Sequence, residues 1–171
     1  MKKTKQIMAF EQLEAEMEMI ERNQLISFKG GGDPTGVIID PSGNIDAETL
    51  WSIAHPIAAL SFSGNAYTAQ NLAATLFSGN AESLWNGAGD AFRHAYWSAL
   101  NARSQNATLA GDFGLAHENS SPDNPVAERN MDIRNNNYGI ALAAAHPTWT
   151  EAQLRSNIFK AAVSGLLVTL R

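Results

Sequence analysis

Apolar positions in this chain recur mainly at three- and four-residue intervals, the spacing of helices that bury one face. Phe10, Leu13, Met17 and Ile20, with Gln24 beyond them, make the first stripe, flanked by Glu11, Glu14, Glu18 and Glu21. It stops at a run of three glycines, residues 30–32, followed by Asp33-Pro34, a flexible break and a domain boundary. Val37-Ile38-Ile39 ahead of Asp40-Pro41-Ser42-Gly43 predicts at most a minor β-hairpin over residues 37–45. Residues 46–60 then read as a helix with Ile45, Thr49, Ile53 and Ile57 turned toward a core, shortened or kinked at Pro56. Residues 65–77 make a second, alanine-rich helix.

Gly87 and Gly89 announce a central helix over 88–107, with small residues Ala91, Ala95, Ala99 and Ala102 on one side and Phe92, Tyr96 and Leu100 between the faces. A short or irregular helix follows over 109–118. Asn124-Pro125 supplies an N-cap and a first-turn proline for the next helix, which turns apolar over 140–145 and stops at His146-Pro147, with His146 as its C-terminal cap. Thr148 and Glu151 have capping-box spacing for a final helix, whose stripe runs through Leu154, Ile158, Ala161, Ala162 and Gly165 to Leu166 and Leu170. The expectation is an all-α, compact irregular helical bundle: residues 32–171 as a single helical domain, and residues 1–31 as a removable leader or an N-terminal amphipathic helix.

Charge and composition narrow the function classes. The net charge of −5 comes from 12 basic and 17 acidic residues, with no basic run to track a phosphate backbone, so no stable nucleic-acid binding is predicted. There is no cysteine, which removes thiolate chemistry and cysteine-ligated zinc. No apolar run approaches the roughly 18 residues of a spanning helix.

The chemistry concentrates in the central helix. On a 3.6-residue period Asp90, His94, Trp97 and Asn101 share one face and Arg93 borders it, a set an ordinary core helix does not need. His117-Glu118 is a second imidazole and carboxylate pair, and Asp132 and Asn136 fall on one side of the following helix. This donor mixture suits a divalent ion, zinc or manganese, held by His94, His117, Asp132 or Asp90. Glu118 would then accept a proton from the attacking water, His94 and Arg93 would complete the catalytic set with Arg93 stabilising developing charge, and Trp97, Asn101 and Asn136 would line the substrate site. The helical zinc-protease pattern is absent, because His117-Glu118 runs on to Ser121 where that pattern needs histidine. Two alternatives stay open. One is a metal-free glycoside hydrolase with Glu118 as acid and Asp132 as its partner; the other is a nonenzymatic binding or structural protein with a buried polar network.

Two resemblances bear on these residues. Asp90, Arg93, His94 and Trp97, then His117-Glu118, then Asp132 and Asn136 resemble the Asp-x-x-Arg-His-x-x-Trp, His-Glu and Asp-x-x-x-Asn elements of an uncharacterised family of bacterial helical domains. That likeness spans about residues 85 to 140 and implies that these residues act together, in exported and toxin-like contexts. Residues 1–31 resemble the double-glycine leaders of substrates of peptidase-containing ABC exporters. Cleavage at Gly31 or Gly32 is implied, and a cut after Gly31 puts Phe28, Leu25 and Ile20 at positions 4, 7 and 12 before it. Together they imply a bacterial protein synthesised in the cytoplasm and secreted after leader removal. Joined to the metal-site reading of the residues, the expectation is an effector-like metal-dependent hydrolase acting on lipid or cell-envelope material, the material that fits the export context.

Overall fold

In the computed structural model, residues 45–120 and 124–171 are described. Six α-helices carry them: α1 (Ala47–Ala54), α2 (Pro56–Leu76), α3 (Ala88–Ser104), α4 (Ala107–Asn119), α5 (Val126–Ala145) and α6 (Glu151–Val163), with a 3₁₀ turn, Ala81–Leu84, ahead of α3. No strand occurs among the described residues, and the fold is all-α as the periodicity predicts. The hairpin expected over 37–45, apart from residue 45, and the leader segment with Gly31 and Gly32 lie outside the described residues. No described helix is long and apolar enough to cross a membrane.

The central helix is the axle of the bundle. α3 packs against α2, α4, α5, α6 and the 3₁₀ turn, and Ala91, Phe92, Ala95, Tyr96 and Ala99 have no exposed surface. A helix surrounded on every side buries whatever polar groups it carries. Asp90, His94, Ser98 and Asn101 are therefore all inside, and each requires a partner.

Small residues set how closely the neighbours approach. A Cβ added to Gly139 of α5 would meet the Ala95 carbonyl oxygen at 1.9 Å, so the backbones of α3 and α5 touch at this crossing. Gly87 and Gly89 are tight in a different way. A side chain there would strike Ser83, or Leu84 and Phe77, so these two seat the start of α3 against the 3₁₀ turn. Asn86 just before them takes a left-handed φ of 59°.

Several boundaries differ from the periodic reading. The helix expected over 46–60 ends at His55, and α2 begins at Pro56 and runs unbroken to Leu76. Proline removes the N–H that a continuing helix needs and biases the preceding residue away from helical geometry, yet fits a first turn. His55 accordingly sits at φ −134°, with its N–H on the Trp51 carbonyl. The apolar stripe assigned to this region is also corrected: Ile45, Ile53 and Ile57 are exposed, and Trp51 is the residue of α1 that packs on the core. At α5, Pro125 is the cap rather than the first helical residue, without a side-chain capping bond. The final capping box belongs to Thr150 and Gln153 instead of Thr148 and Glu151, and the buried stripe of α6 ends at Ala162, with Leu167 rather than Leu166 returning to the core.

Candidate metal centre

The start of α3 places Asp90 first. One carboxylate oxygen accepts the Asn86 backbone N–H at 2.8 Å, a bond that closes the turn into the helix where the amide dipoles favour an anion. The Asn86 side-chain amide donates to Glu128 at 2.6 Å, and the Asn86 backbone carbonyl accepts from Leu170 N at 2.8 Å. The remaining Asp90 oxygen, Oδ1, takes two bonds from Arg93, from Nη2 at 2.6 Å and Nε at 3.1 Å.

Arg93 Nη2 also lies 2.8 Å from His94 Nε2. A guanidinium N–H can only donate, so Nε2 presents its lone pair and the proton of the neutral ring sits on Nδ1. Burial first, then the charges of Arg93 and His117, hold His94 well below the usual imidazole range, which keeps the ring neutral. Its Nδ1 lies 3.8 Å from Glu118 Oε1.

α5 closes the cluster. Asp132 Oδ1 is 3.3 Å from His94 Nε2, while Asp90 Oδ1 is 3.7 Å from the same nitrogen. Two acceptors, a carboxylate oxygen and an imidazole lone pair, thus face each other. Asp132 Oδ1 and His94 Nδ1 are buried without a hydrogen-bond partner. Burial, followed by the charges of Glu118 and Asp90, pushes the Asp132 carboxyl up to about 8. Arg93 already meets the His94 Nε2 lone pair, so the group left in want of a proton or a cation is Asp132 Oδ1 beside it.

Asp90, His94 and Asp132 each offer a ligand atom within 4.8 Å of the other two, all three residues being buried, and the group could hold a metal ion. Ligand atoms at the usual 2.0–2.1 Å from a tetrahedral zinc lie about 3.4 Å apart. The 3.3 and 3.7 Å separations at His94 Nε2 bracket that value.

The other residues singled out in the sequence are placed around this group. Glu118, with 3% exposure, sits behind His94, and its carboxyl is raised, by burial above all. Asn136 donates to Glu118 at 3.4 Å and accepts from Ser98 at 2.8 Å. Trp97 is buried, with its indole N–H on the Phe62 carbonyl at 3.0 Å. Asn101 accepts from Asn65 at 2.9 Å, one turn further along α3. Trp97, Asn101 and Asn136 therefore face protein rather than solvent. His117 lies outside the ligand group; its Nδ1 is 2.9 Å from Glu48 Oε2. Sequence reasoning passed over Glu48, because an acid in the first turn of a helix reads as a partner for the helix dipole. Arg93, with a side chain 30% exposed, is the most solvent-accessible member of the Asp90, Arg93 and His94 group.

The model of the family described as a domain of unknown function (DUF6973) matches residues 49–165, which include Asp90, Arg93, His94, Trp97, His117, Glu118, Asp132 and Asn136. No solved structure matches the chain. With about two thirds of its length, and the whole ligand group, inside that match, the chain belongs to the DUF6973 family.

Proposed function

We propose that this protein is a divalent-metal-dependent hydrolase in which Asp90, His94 and Asp132 hold the ion. The observation that carries this reading is Asp132 Oδ1, buried without a partner and 3.3 Å from the lone-pair side of His94. Three buried acidic side chains, Asp90, Glu118 and Asp132, surround the neutral His94 imidazole, and burial without enough positive charge nearby raises Glu118 and Asp132. Nitrogen and oxygen donors without sulfur suit zinc or manganese.

Each neighbour then has a defined task. Glu118, whose Oε1 lies 3.8 Å from His94 Nδ1, would close to that nitrogen and orient the ring once the ion is bound, the carboxylate–histidine arrangement that raises a ligand's basicity. Its burial suits it to this better than to proton exchange with water. An ion held there would displace Arg93 from His94 Nε2 and from Asp90 Oδ1, which would leave its partly exposed guanidinium for the substrate. A bound divalent ion lowers the pKa of a water and polarises the group under attack.

An arginine as the accessible member of the cluster favours an anionic ester, a phosphate mono- or diester before a neutral acyl compound. A phospholipid or envelope phosphodiester fits that preference, and export of the chain through a peptidase-containing transporter would bring it there. Calorimetric titration with zinc and with manganese tests the site directly. The wild type should bind one ion, His94→Ala and Asp132→Asn should lose it, and His55→Ala should not. Absence of uptake in the wild type would leave the network as a device that fixes helix register.

A further inference from the structure

α1 delivers to the C-terminal turn of α4 a carboxylate that the ligand group does not contain. The Glu48 backbone N–H donates to Ser120 Oγ at 2.7 Å, and Ser120 Oγ donates in turn to the Ala116 carbonyl at 2.9 Å. The Glu48 side chain reaches His117 Nδ1 at 2.9 Å. Main chain and side chain of one residue are thus both tied to α4, which fixes where that carboxylate can point.

A carboxylate accepts, so His117 carries a proton on Nδ1 and leaves Nε2 as the nitrogen that gains or loses one. Nε2 has no hydrogen-bond partner among the described residues and is not among the buried partnerless atoms. The His117 side chain is 20% exposed, against 4% for His94. Both imidazoles meet the Trp97 indole edge-on, with ring centres 6.5 Å away for His94 and 5.2 Å for His117. The two histidines share a tautomer and differ in access to water. The buried one is suited to hold an ion and the accessible one to move a proton.

We infer that His117 is the proton-transfer residue of this site and Glu48 its positioning residue. The inference rests on the hydrolase reading for its substrate. In the step, His117 Nε2 takes a proton from water as the water oxygen bonds to phosphorus. The same proton passes to the leaving oxygen as the phosphorus–oxygen bond breaks, so one water is consumed and the imidazole ends as it began. The groups that face His117 are Glu48 of α1, Arg93 and His94 of α3, the adjacent Glu118 of α4 and Asp132 of α5. Burial draws the imidazole down, but the hydrogen bond and charge of Glu48, with Glu118, leave it raised above 6.5. Activity that needs the neutral base therefore rises with pH through that raised value.

Nitrogen-detected NMR of the histidines, with and without zinc, and turnover of bis(p-nitrophenyl) phosphate by the zinc-loaded protein test this together. Zinc should move the His94 Nε2 signal into the metal-bound range and leave His117 titrating. Glu48→Gln should lower the His117 midpoint, shift the acid limb of kcat downward by the same interval, and cut kcat about 10- to 100-fold with zinc affinity unchanged. His117→Gln should cut it about 100-fold or more. A His117 Nε2 signal in the metal-bound range, an unmoved acid limb in Glu48→Gln, or no probe turnover by zinc-loaded wild type overturns the inference. Failure of the metal reading is separately visible, as a His94 signal indifferent to zinc. Probe turnover that keeps a Glu48-dependent acid limb in that case supports His117 on its own.

Discussion

Gly139 of α5 lies against the carbonyl oxygen of Ala95 in α3, with room for a hydrogen and nothing larger: a Cβ would come to 1.9 Å. Asp132 and Asn136 precede Gly139 on α5, and His94 and Ser98 flank Ala95 on α3. The distance between these backbones therefore sets whether Asp132 reaches His94 and Asn136 reaches Ser98.

Gly139→Ala should accordingly damage both stability and the ion site. Overpacking of this kind costs about 1–3 kcal/mol, more where backbone blocks backbone, and α5 must move away from α3 to relieve it. Thermal unfolding and zinc calorimetry on the same variant should show a lower midpoint and weaker binding. Gly64→Ala is the control. A Cβ there meets nothing within 4 Å, and alanine inside α2 should raise stability by about 0.5–1 kcal/mol. A Gly139→Ala protein with wild-type midpoint and zinc affinity would refute the close crossing.

Glu118→Gln separates stability from function. The amide keeps a partner for Asn136 but removes a buried charge whose carboxyl is raised chiefly by burial. The metal-free variant should be at least as stable as the wild type at pH 8, while zinc affinity drops about 10- to 100-fold because His94 loses its orienting anion. A variant that binds zinc as well as the wild type would remove Glu118 from the site.

The pH dependence of the metal-free protein has a definite sign above 6.5. Asp132 is raised from 3.8 to about 8, so the unfolded chain sheds this proton first and stability falls as pH rises between those values. Glu118, raised above 4.5, and His117, raised above 6.5, act in the same direction beyond their ordinary values. His94, lowered below 6.5, opposes them only in the more acid range, where its contribution is lost as pH falls. Differential scanning fluorimetry should therefore show a midpoint that declines from pH 6.5 to 8 without metal and is restored by zinc, which takes the place of the Asp132 proton. Asp132→Asn should flatten the decline and abolish the zinc increment. An identical slope in Asp132→Asn would show that this carboxyl is not what titrates.

Much of the architecture could be read along the chain, because helix formation is a local matter of spacing, caps and breakers. The 3.6-residue period grouped Asp90, His94, Trp97 and Asn101 on one face of α3, and all four are buried there. Asp90, His94 and Asp132 were likewise visible as donor chemistry on two helices, but His117 was counted with them, and it lies outside the group. The reading misplaced elements where a local signal had two outcomes. Pro56 can kink a helix or start one, and at His55 the chain breaks and starts again.

What lay beyond reach depended on how the helices pack against one another. Nothing near Glu48 in sequence marks it as a partner of His117, 69 residues away. Gly139 carries no pattern that distinguishes a helix crossing from a helix defect. Glu118 and His117 adjoin in sequence yet take different partners, Glu118 lying beside His94 and His117 on Glu48. The amino-acid sequence by itself determined which segments are helical and which face of α3 is polar, since those follow from interactions within a few residues. Only the tertiary structure decided which polar side chains share an ion-sized space, because that is set by interhelical distances of a few ångströms.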